Sequence, residues 1–305
     1  MILSSSQPRR VAYDLPEDAL ATPATPDDLK IDVSRETATE LPRPARPRII
    51  VIANQKGGVG KTTTAVNVAA GLAMGGLRVL VVDIDPQGNA TTALGIDHQE
   101  GTPGTYEALV DGVPVYELIQ QCPDIEGLWV LPATIDLAGA ELGLVATVSR
   151  ETKLRSALND FLSEYHLDYV FIDCPPSLGL LTLNALVAAQ EIMIPIQCEY
   201  YALEGVTQLL RTIELVKGRL NDELQLSTVL LTMYDARTNL SSQVAEEVRR
   251  HFAAQTLEAS IPRSVRVAEA PSYGQTVLSY QLASAGAQAY LRAARELAER
   301  GTGRR

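Results

Sequence analysis

The sequence predicts an α/β protein, with a mostly parallel, twisted sheet of about seven or eight strands and helices on both faces. Three observations lead there. Short, unbroken aliphatic runs recur from residue 48 onward, stretches with helical spacing of apolar residues separate them, and the first run enters a helix through a glycine-rich turn. Strands that are apolar on both sides are buried on both sides, as in a parallel sheet covered by crossover helices.

The predicted strands are residues 48–53, 78–83, 128–131, 169–173, 191–196, 226–232 and a short one near 257–261. The first helix, 61–74, is placed by Ala65, Val68, Ala69 and Leu72, spaced i, i+3, i+4, i+7. Further helical patterns cover 153–165, 183–189, 203–220 and 241–252, and a last helix spans about 284–300. The chain carries no internal repeat. In such a sheet ligands collect at the carboxyl ends of the strands.

Residues 1–47 hold seven of the 17 prolines and few bulky apolar side chains. Such a segment buries too little surface to offset its chain entropy, so a disordered proline-rich tail is expected, followed by a single domain over 48–305. Hydrophobic content of 46% with only 5% aromatic residues fits a globular protein with an aliphatic core. The longest apolar runs are too short to span a bilayer, and no charged-then-apolar leader opens the chain. Cys122, Cys174 and Cys198 are odd in number and lack metal-type spacing, as expected of reduced cysteines in a cytoplasmic protein. A net charge of −11 argues against a surface coated in basic residues, but phosphate contacts need only a local patch.

Three of the predicted strands end in chemistry. After the first comes Lys56-Gly57-Gly58-Val59-Gly60-Lys61-Thr62-Thr63. A glycine turn from strand into helix aims backbone N–H groups at one point, at the positive end of the helix dipole, which makes an anion site. The common pattern G-x-x-x-x-G-K-[ST] fails here, because Gln55 stands where its first glycine belongs and a second lysine, Lys56, opens the loop. Lys61 is placed to neutralise β- and γ-phosphate charge, the Thr62 hydroxyl to ligate Mg²⁺, and Thr63 to contact the α-phosphate. The second strand runs into Asp83-Ile84-Asp85-Pro86-Gln87-Gly88-Asn89, with both aspartates on one side of an extended chain. The third closes as Val170-Phe171-Ile172-Asp173-Cys174-Pro175-Pro176, an apolar strand ending in a carboxylate suited to hold Mg²⁺ through water.

The loop resembles the deviant Walker A of the ParA/MinD/nitrogenase-iron-protein class of dimeric ATPases. Asp83-Ile84-Asp85-Pro86-Gln87-Gly88 resembles the switch I of the ParA/Soj family. Glu199-Tyr200-Tyr201-Ala202-Leu203-Glu204-Gly205, residues 232–239 and residues 261–272 resemble ParA/Soj chromosome-partitioning ATPases as well. The resemblance covers roughly residues 48–298, and none of the tail. It implies an ATP- and Mg²⁺-dependent ATPase. Asp85 is the catalytic carboxylate that positions water, and Asp83 organises the loop and the magnesium shell. Lys56 reaches across an ATP sandwich dimer to the partner's phosphates. Pro175 and Pro176 stiffen a switch that reports on the γ-phosphate.

The family further implies a homodimer formed on ATP that binds double-stranded DNA without sequence preference, and a ParB-type centromere-binding protein that stimulates hydrolysis and release. Arg237, Arg263 and Arg266 are the candidates for DNA contact, since arginine suits phosphate. Met233 and Pro262 are the candidates for covering the adenine. Ser264 departs from the asparagine common in the family. A cytoplasmic, nucleoid-associated protein follows. Cargo other than a centromere complex, or a role in regulating replication, is the alternative. A membrane-cycling MinD-like role would need a carboxyl-terminal amphipathic helix, whereas 287–305 offers only Tyr290, Leu291 and Leu297 as large apolar residues.

Overall fold

Alternation along each strand sends neighbouring side chains to opposite faces of the sheet, and the core divides accordingly. Ile49, Val51, Leu80, Val82, Val170 and Ile172 enter one apolar cluster. Ile50, Ile52, Val79, Val81, Tyr169 and Phe171 enter the other. The computed structural model describes residues 40–145, 147–200 and 204–302.

In chain order the elements are β1 (Arg48–Ile52), α1 (Lys61–Met74), β2 (Val79–Asp83), α2 (Asn89–Ala93), β3 (Gln120–Gln121), β4 (Leu128–Leu131), α3 (Ala140–Val145), α4 (Lys153–Glu164), β5 (Tyr169–Asp173), α5 (Leu180–Ala188) and β6 (Glu191–Gln197). They continue with α6 (Glu204–Arg219), β7 (Gln225–Tyr234), α7 (Asn239–His251), β8 (Thr256–Pro262), α8 (Val265–Glu269), α9 (Val277–Tyr280) and α10 (Ala285–Gly301). The eight strands lie in the order β3-β4-β2-β5-β1-β6-β7-β8. All pairs are parallel except β3 with β4. The predicted fold class and all seven predicted strands are present. The two-residue antiparallel β3 and the short helices α2, α3, α8 and α9 were not expected, because so few residues carry no periodic signal. Helix α5 starts three residues earlier than expected, and the expected start of the sixth helix, Leu203, lies outside the described residues.

The chain leaves β1 for the β2 side of the sheet and returns from β5 across β1 to β6. The crossing opens a crevice over the carboxyl ends of β1 and β5. Register sharpens the point. Asp173 is paired laterally with Ile52 on one side and with Asp83 on the other, so the loops after β1, β2 and β5 emerge side by side.

Of the expected tail, residues 1–39 lie outside the described residues. Residues 40–47 are described, and they pack as a strap on the amino-terminal edge of the sheet. The Leu41 N–H donates to Gly75 O at 2.9 Å, and its side chain packs against the core face that holds α1. Arg43 donates to Asp168 and to Gly76 O, each at 2.9 Å. Residues 41 and 43 thus contact the body of the fold that begins with β1. Prolines do not prevent this, since a strap held by a few side chains needs no ladder of backbone N–H groups.

The last helix packs on the first. A Cβ on Gly71 of α1 would lie 2.8 Å from the Ala294 Cβ, so the glycine allows the two helices to approach closely. Tyr290 and Leu297 are buried in this contact and Leu291 is packed against it, so the apolar face of α10 is spent on the core. Glu296 accepts from the N–H groups of Glu258 and Ala259 at 2.9 and 3.1 Å, which covers part of the open edge of β8. Among the described residues no helix is long and apolar enough to cross a membrane.

Candidate nucleotide site

The loop between β1 and α1 is held at three points that the sequence motif does not contain. Asn54 spans the crevice, its amide donating to Pro195 O at 2.9 Å while its carbonyl accepts from Lys56 N at 3.0 Å. Thr232, at the end of β7, donates to Val59 O at 2.9 Å. Gly58 and Gly60 have φ of +73° and +88°, a region in which a side chain would be strained. A Cβ at Gly57 or Gly58 would meet nothing within 4 Å, so the concave side of the loop is open.

The two lysines of the loop differ in kind. Lys61 is only 8% exposed, and its ammonium donates to Lys56 O at 3.4 Å. Burial lowers its pKa, while Asp173, Cys174 and Asp85 oppose that shift. The side chain of Lys56 is 37% exposed, and its Nζ is 3.6 Å from Glu199 Oε2 on the loop after β6.

Near Lys61 stand Asp173 and Asp85, and Asp83 neighbours Asp173. Asp173 is fully buried. Its Oδ2 accepts from the Thr62 hydroxyl at 2.6 Å, and its Oδ1 has no hydrogen-bond partner. Burial, with Asp83 as its neighbour, pushes its pKa well above the usual carboxylate range. Asp83 is equally buried, but both of its oxygens are hydrogen-bonded. Its Oδ1 accepts from Asp85 N at 3.1 Å, and its Oδ2 accepts from the N–H and hydroxyl of Thr91 at 2.9 and 2.7 Å. Burial raises its pKa to about 6 against these hydrogen bonds. Asp85 is 9% exposed, and its Oδ1 accepts from Gln87 N at 3.0 Å.

This donor set suits a magnesium–nucleotide complex. Among the described residues no group of three His, Cys, Asp or Glu side chains could hold an ion. A hard cation here would depend on phosphate oxygens and water, and the Thr62 hydroxyl and Asp173, whose Oδ1 has no hydrogen-bond partner, are the side chains that would hold it. Asp83 has no such oxygen left, so its geometry is that of a loop organiser.

Residues 47–226 match an AAA-domain family. The chain is 54% identical over 254 residues to the sporulation initiation inhibitor protein Soj of Bacillus subtilis, covering 83% of this chain and 99% of that one. It is 53% identical over 255 residues to the chromosome partitioning protein ParA of Myxococcus xanthus, covering 84% of this chain and 89% of that one. The chain belongs to the Soj/ParA family of partitioning ATPases. A solved structure named cobyrinic acid a,c-diamide synthase, from Mycobacterium smegmatis with an ATP analogue and magnesium, shares the fold at a TM-score of 0.72 and 40% identity. It covers 85% of this chain and 97% of that one. Identity is higher to the Soj and ParA proteins, which fixes the family within the shared fold.

The Soj/ParA candidates for DNA contact lie on the surface, each already in an ion pair. Arg237 forks onto Asp235 at 2.9 and 2.7 Å and holds that carboxyl down to about 2. Arg263 is 3.3 Å from Glu199, and Arg266 is 2.9 Å from Glu269. Met233, proposed for the adenine, has φ of +51°, an uncommon conformation for a side chain of its size. It lies between Thr232, which holds the loop, and Tyr234, which pairs with Pro262 across β7 and β8. Ser264 occupies the N-cap position of α8 without a side-chain cap.

Sequence reading missed Asn54, Thr91, Thr232 and Glu199 as site residues. Asn54 and Thr91 lie within a few residues of the motifs. Thr232 is 173 positions from its partner, so only the fold reveals that contact.

Proposed function

We propose that this protein is an ATP-driven DNA-partitioning ATPase whose ATP-bound sandwich dimer holds DNA non-specifically and is released when a ParB-type protein stimulates hydrolysis. The observation that carries the reading is the contrast between its two loop lysines. Lys61 is buried beside Asp173 and serves its own nucleotide, whereas Lys56 stands at the rim in a loose surface pair. Hydrolysis builds charge on the transferred phosphoryl group, and a cation from outside the subunit is a known way to neutralise it. Lys56 is placed to act as such a cation for a second copy.

ATP and Mg²⁺ are the cofactors in this reading. The backbone N–H groups of Gly57, Gly58, Val59 and Gly60 cradle phosphate, and Lys61 and Thr62 hold the phosphates and the ion. Thr63 contacts the α-phosphate, Asp173 orients a magnesium-bound water, and Asp83 fixes the switch loop. Asp85, within that loop, orients the attacking water. Met233 and Pro262 cover the base. Arg237, Arg263 and Arg266 exchange their carboxylate partners for DNA phosphates, which places the protein on the nucleoid.

The test is the ATPase rate with and without DNA and a ParB-type partner. Slow basal turnover with stimulation that needs both is expected. Full turnover of the chain alone, or no response to the pair together, would reject the partitioning cycle.

A further inference from the structure

Asn67 lies at the centre of α1, only 3% exposed, and joins two parts of the chain 210 residues apart. Its amide donates to Thr63 O, in the turn that follows the phosphate loop, at 2.8 Å. Its Oδ1 accepts from the N–H of Val277, the first residue of α9, also at 2.8 Å. The Thr276 hydroxyl caps the same short helix by accepting from Ser279 N at 3.2 Å. Val277 is fully buried and Thr276 nearly so, so this end of the segment cannot shift without α1.

The same segment also packs against α2, the helix that follows the switch loop. The backbones of α2 and the turn before α9 touch, since a Cβ on Gly95 would lie 2.9 Å from Gly274 O. Helix α2 is in turn fixed to Asp83 through Thr91. The stretch that carries Arg266, Tyr273 and Tyr280 therefore rests on α1 and α2, the helices that follow the two loops proposed to meet the nucleotide. The two tyrosine rings stack with centroids 4.9 Å apart, and Tyr273 is exposed.

We propose that Asn67 is a positioning residue that transmits the nucleotide state of the phosphate loop to the Arg266–Tyr280 surface. Contact with phosphate at Thr62 and Thr63 sets the first turn of α1, and the helix backbone passes that setting one turn on to Asn67. The Asn67 Oδ1 carries it to Val277, while the amide bond to Thr63 O, within the same helix, only orients the side chain. A direct hydrogen bond between two packed, capped elements moves them together, which is the physical requirement for coupling between sites. The nucleotide side rests on the ATPase reading, and the surface it moves is the one assigned above to DNA.

The test is hydrogen exchange of the full chain with magnesium and either ATPγS or ADP. Wild-type amides in 265–280 should exchange about tenfold more slowly with ATPγS, within the usual range of coupling between sites. Asn67→Ala should bind both nucleotides as wild type does and lose that difference. Asn67→Asp keeps an acceptor for Val277 and loses the donor for Thr63, so it should retain most of the difference and show that the Ala variant is not merely misfolded. The inference is overturned if the wild type shows no nucleotide-dependent change in 265–280, if Asn67→Ala keeps it, or if Asp and Ala behave alike. DNA affinity is read in parallel. An exchange difference in a protein that does not bind DNA would reject the DNA assignment and leave the relay standing.

Discussion

The carboxylates at the ends of β2 and β5 and the arginines of the late segments are both charged groups with assigned partners, under opposite conditions. Asp83 and Asp173 are completely buried; Asp173 ties β5 to α1 through Thr62, and Asp83 holds its own loop and α2 through Asp85 and Thr91. The side chains of Arg237, Arg263 and Arg266 are 87%, 60% and 51% exposed, and each partner is a nearby carboxylate. Buried charges hold a geometry because leaving them unpaired is costly. Exposed ion pairs are weak and screened by salt, so a phosphate backbone competes with them readily. Under the reading proposed above, a chain of net charge −11 would meet DNA through cations that stay masked until a stronger polyanion arrives.

The largest expected effect tests the buried side. Lys61→Ala should lower turnover by about a thousandfold, since it removes a preorganised cation from a closed site. Single-turnover hydrolysis reads it, and a loss under tenfold would show that Lys61 is not the phosphate cation.

Next comes the cost of the buried carboxylates. The pKa of Asp83 is raised to about 6, and that of Asp173 is raised as well. An acid whose folded pKa exceeds its unfolded value destabilises the fold where it is ionised, above the folded pKa. Stability should therefore rise as pH falls from 7 through 6 toward 4, by on the order of 3 kcal/mol for a two-unit shift. Urea unfolding of nucleotide-free protein at pH 7 and pH 5 measures the change, and lower stability at pH 5 would contradict it.

At the rim between the two regions, Lys56→Ala should keep nucleotide binding and lose ATP-dependent dimerisation, with turnover down about a hundredfold, the scale for losing one electrostatic stabiliser. Light scattering with a slowly hydrolysed ATP analogue decides, and a wild-type dimer in the variant would remove the trans role. The smallest effect belongs to the surface. Arg266→Ala should weaken DNA affinity roughly tenfold at every sequence and reduce the salt slope by about 1. An unchanged slope would mean that Arg266 stays on Glu269 and contacts no phosphate.

The strands were legible because they are aliphatic on both faces, and α1 because its apolar residues keep helical spacing over 14 residues. The bounds of β4, β5 and α1 match the expectation at both ends. Asp83 and Asp173 were legible because each terminates such a strand. The strap at 40–47 was not, because its attachment depends on Leu41 and Arg43 meeting residues far along the chain. The ion pairs of the arginines lay between these extremes. Asp235 is two residues from Arg237, but Glu199 is 64 from Arg263.

By itself the sequence determined the fold class, the phosphate loop and its abnormal second lysine, and the strand-end aspartates Asp83 and Asp173 with Asp85 beside them. These depend on local spacing and on which residues tolerate burial, and both are written along the chain. Tertiary structure alone decided that both oxygens of Asp83 are hydrogen-bonded while one of Asp173 is left without a partner, that Glu199 faces both Lys56 and Arg263, and that Asn67 joins the loop helix to α9. The reason is physical. A hydrogen-bond partner is chosen by where strands and helices bring side chains in space, and no spacing along the chain encodes a contact that spans 210 residues.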